Sequence, residues 1–205
     1  MLYDYLLENY KNGEPIFLSE LSGYSKDYIR QEMKRLTDEG KIERLYNGVY
    51  FVPYTSILGS KGKVSIKRII EKKFLDSNGN VSGYYTGLTL MNLLGFTTQN
   101  PAFYEICTNN ASTKQRKLII DSVNMIIYEP VTKITNENYK ELQFLDLMTS
   151  IDKYCELKNE EMIIKLKEVV KNFSINFELV KQYLPLYPDK IYKNIYNGGL
   201  MNELV

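Results

Sequence analysis

The stretch Ser25-Lys-Asp-Tyr-Ile-Arg-Gln-Glu-Met-Lys-Arg-Leu-Thr-Asp-Glu-Gly-Lys-Ile-Glu-Arg-Leu-Tyr-Asn-Gly-Val-Tyr-Phe-Val52 decides how the first quarter of this chain folds. Ser25 is a helix N-cap, and Asp27 lies in the first turn behind it, where the helix dipole favours negative charge. The helix runs for about 14 residues, until Gly40 stops it by accepting left-handed backbone. Lys41–Leu45 and Val49–Val52 then read as two strands joined through Tyr46-Asn47-Gly48. Asn-Gly between apolar runs is the strongest short-range hairpin signal a sequence offers. Pro53 ends the second strand.

Within the helix, Ile29, Met33 and Leu36 recur at i, i+4, i+7 and form one apolar stripe. Arg30, Gln31 and Lys34 project from the other side, with Asp27 and Asp38 among them, and Lys26 and Arg35 flank the stripe. Upstream, Leu2, Leu6, Leu7 and Tyr10 have helical spacing, and Asn12-Gly13 stops the pattern. Glu14-Pro15 is a turn, and Ile16-Phe17-Leu18 is long enough for a minimal strand. Ser19 caps a second short helix ending at Gly23. Helix, short strand, helix, capped helix and hairpin is the order of a winged helix-turn-helix, expected over residues 1–56.

A helix of about 21 Å fits a major groove. Arg30 can fork onto guanine and Gln31 onto adenine, whereas Lys26, Lys34, Arg35, Lys41 and Arg44 suit phosphates. Ser25 and Tyr28 stand at the helix start, and Tyr46 and Asn47 at the hairpin tip can reach an adjacent groove or the backbone. The DNA-binding candidates are therefore Ser25, Lys26, Tyr28, Arg30, Gln31, Lys34, Arg35, Arg44, Tyr46 and Asn47. The alternative is a protein-docking module with a solvated charged face. It has two points in its favour. Residues 1–60 carry seven basic and nine acidic side chains. Asp27 and Asp38 also share the face assigned to DNA, where phosphate repels them.

Composition bounds the rest. The chain has 205 residues, a pI near 7.6 and a net charge of +1, so overall charge speaks neither for nor against nucleic acid. With no histidine, imidazole acid–base chemistry and His-based metal motifs are excluded. Cys107 and Cys155 form no CxxC pair and read as the thiols of a reduced, cytoplasmic protein. Asp4 and Glu8 break up the N-terminal apolar residues, unlike a signal peptide, and no stretch approaches membrane-span length.

Between about 54 and 65 the periodic pattern breaks, and residues 57–65 are the expected linker. Residues 61–73 hold six basic side chains against Glu71 alone. Of these, Lys61, Lys63, Lys67 and Arg68 are candidates for additional phosphate contacts, on a helix that starts near Ser65 with Ile66, Ile69, Ile70 and Phe74 as its apolar face. Gly59-Ser-Lys-Gly-Lys63 is not a phosphate-binding loop. Ile57 stands where the first glycine belongs, and Val64 replaces the hydroxyl after the lysine.

Residues 66–205 read as a second, larger domain of mixed α/β type ending in helices, so the fold class of the whole chain is α+β. Leu88–Leu94 is a nearly all-apolar helix stopped by Gly95 and is expected at the centre of this core. Phe103–Thr108 and Val123–Tyr128 read as strands. Lys114-Gln-Arg-Lys117 reads as a solvated basic loop. From about residue 139 onward the pattern is helical, with Pro185 and Pro188 as breaks.

No catalytic residues, metal ligands or cofactors are assigned. A metal-dependent nuclease needs a carboxylate followed by an Asp/Glu-x-Lys triplet at a strand end. Glu32-Met-Lys34 and Glu156-Leu-Lys158 match the triplet but fall in helical or helix-linking segments. Glu129 follows a strand yet has no lysine behind it.

Arg30-Gln-x-x-Lys-Arg-Leu-x-x-x-Gly40 followed by Asn47-Gly-Val-Tyr-Phe-Val-Pro53, together with Gly83-Tyr-Tyr-Thr-Gly-Leu88, Leu93-Leu-Gly-Phe-Thr-Thr98 and Tyr187-Pro-Asp189, resembles the antitoxin component of AbiE-type, type IV toxin–antitoxin (abortive infection) systems, the AbiEi family. The resemblance covers most of the chain. It implies two domains. A winged helix binds inverted repeats of double-stranded DNA in the operon's own promoter and represses it, with oligomers on the DNA. A C-terminal domain counters a nucleotidyltransferase toxin, directly or functionally. Lys26, Arg30, Gln31, Lys34 and the wing around Asn47 would then carry operator binding. The acidic balance of residues 1–60 departs from this picture.

Overall fold

The computed structural model describes residues 1–56, 59–62, 64–77, 79–120 and 122–204. The chain divides into two compact units, one formed by Met1–Lys72 with Ile120–Ser122 and the other by Lys73–Ile119 with Val123–Val205. Of the linker expected at 57–65, Ile57, Leu58 and Lys63 lie outside the described residues. Residues 54–56 pair with residues 60–62. Thr55 bridges Lys61, the Gly62 N–H donates to the Tyr54 carbonyl at 2.7 Å, and the Ser56 N–H donates to the Ser60 carbonyl at 2.7 Å. Gly62 lies so close under the Tyr54 ring that a Cβ there would collide with it.

In the first unit, α1 (Leu2–Asn9) buries Leu2 and Leu6, whereas Leu7 is half exposed. β1 is the two-residue strand Ile16–Phe17. The helix expected from Ser19 is only a 3-10 turn, Leu18–Glu20, since Gly23 at φ +92° halts the chain before an α-helical bond can close. α2 (Lys26–Asp38) opens with the Ser25 hydroxyl accepting from the Tyr28 N–H at 3.2 Å and closes at Gly40, φ +70°. Ile29, Met33 and Leu36 are its buried residues and join Leu2, Leu6, Ile16, Leu21, Ile42 and Val52 in one core. β2 (Glu43–Tyr46) and β3 (Val49–Phe51) form the hairpin, with Gly48 at φ +77° in its turn. The register slips by one residue between Arg44 and Tyr46, which makes Leu45 a bulge. β1 pairs antiparallel to β3, so the sheet order is β1-β3-β2.

α3 (Ile66–Ile70) follows and widens into a π-helical turn, Glu71–Leu75. Ile69, Ile70 and Phe74 are buried as the apolar spacing requires. Lys72, from the basic run, is mostly buried and structural. Its ammonium reaches Glu20 at 3.0 Å, Glu14 at 3.3 Å and the Pro15 carbonyl at 3.1 Å, and lies 4.7 Å from the Tyr10 ring centroid.

In the second unit, the short pair β4 (Asp76–Ser77) and β5 (Asn80–Val81) precedes a four-stranded sheet. That sheet consists of β6 (Gly83–Tyr85), β7 (Tyr104–Thr108), β8 (Gln115–Ile120) and β9 (Val123–Tyr128), in the order β6-β7-β9-β8. β7 runs antiparallel to β6 and parallel to β9. The basic run at 114–117 is therefore mainly strand rather than loop, and Lys117 occupies an exposed position of the edge strand β8, as suits an edge that must avoid further pairing. α4 (Gly87–Leu93) buries Thr89, Leu90 and Met91 but leaves Leu93 exposed, so it packs by one face and is not enclosed. α5 (Tyr139–Tyr154) holds the centre instead, burying Leu142, Phe144, Leu145, Leu147, Met148 and Ile151. α6 (Asn159–Phe173), α7 (Phe177–Tyr183) and α8 (Lys190–Asn197) complete the helical end around the same core. Glu156, read in the sequence as part of a nuclease-like triplet, accepts from the Thr98 N–H at 2.7 Å, the Thr98 hydroxyl at 2.9 Å and the Gln99 amide at 2.9 Å. These donors, led by the Thr98 N–H, hold its carboxyl down to about 2. The molecule is thus mixed α/β, and no helix among the described residues is long and apolar enough to cross a membrane.

Candidate nucleic-acid interface

With the apolar stripe of α2 buried, geometry fixes what the helix offers outward. Ser25, Lys26, Tyr28, Arg30, Gln31, Lys34 and Arg35 are all exposed, as are Arg44 and Asn47 on the hairpin, while Tyr46 is half-buried. Lys26, Gln31 and Lys34 have no ion pair or side-chain hydrogen bond among the described residues. Arg30 keeps a loose contact with Asp27, 3.8 Å away and equally exposed. These four side chains can meet a ligand at little cost in broken interactions.

The remaining basic candidates are engaged. Arg35 is gripped on both sides, by Glu32 through Nε and Nη2 and by Glu39 through Nη1. Arg35 holds the Glu32 carboxyl below its ordinary range, and Lys41, then Arg35, does the same for Glu39. Lys41 sits 2.9 Å from Glu39. Arg44 donates to the Asn47 amide oxygen at 2.8 Å across the hairpin, which orients the tip and occupies the arginine. Among the later candidates, Lys61 pairs with Glu43 at 2.8 Å and Lys67 with Glu71 at 3.8 Å. Arg68 is exposed without an ion pair among the described residues, and Lys63 lies outside the described residues. Exposed pairs of this kind are worth under about 1 kcal/mol each. A phosphate can compete for them, but each exchange returns only a fraction of a fresh contact.

Tyr24 is an addition to the sequence reading. Its ring stacks on Tyr28, with centroids 5.4 Å apart and planes at 24°, and meets Tyr5 edge-on at 6.3 Å. The three rings bridge α1, the turn before the cap and the first turn of α2, and both Tyr24 and Tyr28 are partly exposed. The i, i+4 spacing of these two tyrosines was visible in the sequence. The contribution of Tyr5 was not, because it needs the packing of α1 on α2.

The sequence thus places ten candidates on two neighbouring elements. The structure leaves Lys26, Arg30, Gln31 and Lys34 as the disposable set, with Asp27 and Asp38 exposed beside them. Among the described residues, no three Cys, Asp or Glu side chains converge to hold a metal ion. No family model matches the chain, and no curated protein matches it.

Proposed function

We propose that this chain is a DNA-binding transcriptional regulator of the repressor–antitoxin type, whose N-terminal unit is a winged helix. The observation that carries the reading is α2, a Ser25-capped helix with Lys26, Arg30, Gln31 and Lys34 exposed on one side, followed by an Asn47-Gly48 hairpin in a sheet ordered β1-β3-β2. A 13-residue helix is about 20 Å long and presents a fork-shaped guanidinium and a carboxamide to a groove, chemistry suited to guanine and adenine edges. On this reading Arg30 and Gln31 read bases, Lys26 and Lys34 hold phosphates, and the hairpin tip at Asn47 touches the neighbouring backbone. The second unit would carry the antitoxin activity against a nucleotidyltransferase, in line with the resemblance of its Gly83–Leu88 and Tyr187–Asp189 segments.

A mobility-shift titration on the DNA upstream of the chain's own gene tests this. Sequence-dependent binding that weakens about tenfold or more in Arg30→Ala plus Lys34→Ala supports it, since each lost contact is worth about 1 kcal/mol or more. Undiminished binding by the double variant rules out the residue assignment.

A second reading has its own observation. Arg35, Lys41, Arg44 and Lys61 are already paired within the unit, and Asp27 and Asp38 stand on the outer face. A mixed-charge face of this kind suits a protein partner. That reading predicts no sequence-dependent shift at any salt concentration, and a stable complex with the product of the neighbouring gene on co-purification.

A further inference from the structure

The second unit contains a cleft of about 310 Å³ that the DNA-binding reading does not use. It opens beside β6, β7, β9 and α5, and its volume is at the lower end of the range for small-molecule sites. Asp146 of α5 lies on its floor. One carboxylate oxygen accepts from the Thr86 hydroxyl at 2.8 Å, and the hydroxyls of Tyr84 and Tyr187 border the same carboxylate. Glu105 forms a wall. Its two oxygens accept from the Leu88 N–H at 2.9 Å and from the Tyr128 hydroxyl at 3.0 Å, so the carboxylate is fixed in place. Gly87, at φ +54°, lies against that carboxylate, and a Cβ there would strike it. The backbone is therefore shaped around a carboxylate facing the cleft. Tyr84, Tyr128 and Tyr154 contribute aromatic surface, and Glu129 adds a third negative charge at the exposed rim. Among the described residues, the only basic side chain lining the cleft is Lys153, whose ammonium folds 4.6 Å over the Tyr154 ring.

We propose that this cleft binds a small organic cation, a ligand bearing a guanidinium or ammonium group, with Asp146 and Glu105 taking the charge and the tyrosine rings flanking it. Three carboxylates against one ammonium leave the lining negative, so it disfavours phosphates and nucleotides. The carboxylates do not converge as metal ligands would. Carboxylates next to tyrosine faces are the surroundings that bind guanidinium, which forks onto the first and stacks on the second. Asp146 also bears a cost that no contact within the unit removes. Burial pushes its carboxyl up to about 6 although Thr86, Tyr84 and Tyr187 pull it down. A cation delivered to the floor would relieve that cost. The inference is independent of DNA binding.

The test is calorimetric titration of the full chain at pH 7.5 with three probes: agmatine, N-acetyl-arginine methylamide, and N-acetyl-citrulline methylamide as the neutral isostere. The expected result is saturable binding of agmatine, of the capped arginine or of both, about tenfold tighter than the citrulline compound. Agmatine alone binding identifies a free small molecule as the source of the cation. Capped arginine binding as tightly identifies an arginine side chain presented by a polypeptide. Asp146→Asn, which keeps the shape and removes the charge, should weaken binding about tenfold or more, and Lys153→Glu, at an exposed position, should tighten it about threefold or more. The proposal is overturned if neither cation binds at about 5 mM, if citrulline binds as well as arginine, or if binding is unchanged in both variants.

Discussion

Asp146 and Lys72 show how much a single side chain can be asked to bear. Burial raises the folded-state pKa of Asp146 to about 6 from an ordinary 3.8. Between those values the folded chain holds the proton more tightly than the unfolded chain does. The stability this contributes is therefore complete below about pH 4 and lost as the pH rises through 6. At pH 7.5 the ionised carboxylate costs roughly 2–3 kcal/mol relative to its protonated form. Asp146→Asn is accordingly expected to raise the melting temperature by several degrees at pH 7.5 and by almost nothing at pH 4, a contrast read directly by calorimetry at the two pH values. Lys72 behaves in the opposite way. Its ammonium sits among Glu14, Glu20 and the Pro15 carbonyl, so removing it takes away the cation the two carboxylates share and leaves Glu14 the Lys11 N–H and Glu20 the Tyr10 hydroxyl. Lys72→Met should destabilise the first unit by about 1–3 kcal/mol. Faster hydrogen exchange at the buried amides of α1 and β1 would register it, with exchange in α5 unchanged.

At the scale of elements, α2 was legible in detail, because everything that makes it is local: a Ser25 cap, a stripe at i, i+4, i+7 and a Gly40 stop. Ser25→Ala should cost about 1 kcal/mol and Ser25→Gly only a few tenths, since glycine leaves the cap backbone accessible to water. Exchange rates at the Lys26–Tyr28 amides separate the two variants from wild type, and equal rates in all three would mean the cap is idle. Elements whose character depends on distant partners were not legible. The 3-10 turn at Leu18–Glu20 is the exception, since its cause is local: Gly23, three residues on, ends the helical run too early. β8 was hidden because Gln115 and Lys117 occupy the exposed positions of an edge strand, which read as a polar loop until the neighbouring β9 is seen. Leu88–Leu94 reads as enclosed on composition alone, yet Leu93 faces outward, because the central position belongs to α5. The cleft is the extreme case. Tyr84, Glu105, Asp146 and Tyr187 are spread over a hundred residues, and no spacing rule connects them.

At the scale of the whole molecule, charge decides between the two readings of the N-terminal unit. A net charge of +1 provides no long-range attraction for DNA, so affinity must come from a few local cations. With Arg35, Lys41, Arg44 and Lys61 paired internally, about three phosphates per chain remain to be neutralised, by Lys26, Lys34 and Arg68. Each neutralised phosphate contributes about −0.9 to the slope of log affinity against log salt, so a slope near −3 per bound chain is expected, and near −6 where two chains share paired half-sites. A slope much steeper than this would mean that the internal ion pairs open on binding. Asp27 and Asp38 make the sharper test. Both are exposed beside Arg30, Gln31 and Lys34. If that face meets phosphate, Asp27→Asn plus Asp38→Asn removes repulsion and should tighten DNA binding about three- to tenfold at low salt, with the gain shrinking as salt screens it. If the face docks a protein, the same two carboxylates are contacts, and the double variant should instead loosen the complex with the partner while leaving DNA unbound. Fluorescence anisotropy on labelled promoter DNA, repeated across about a sixfold range of KCl, distinguishes the two, because the sign of the change differs between them.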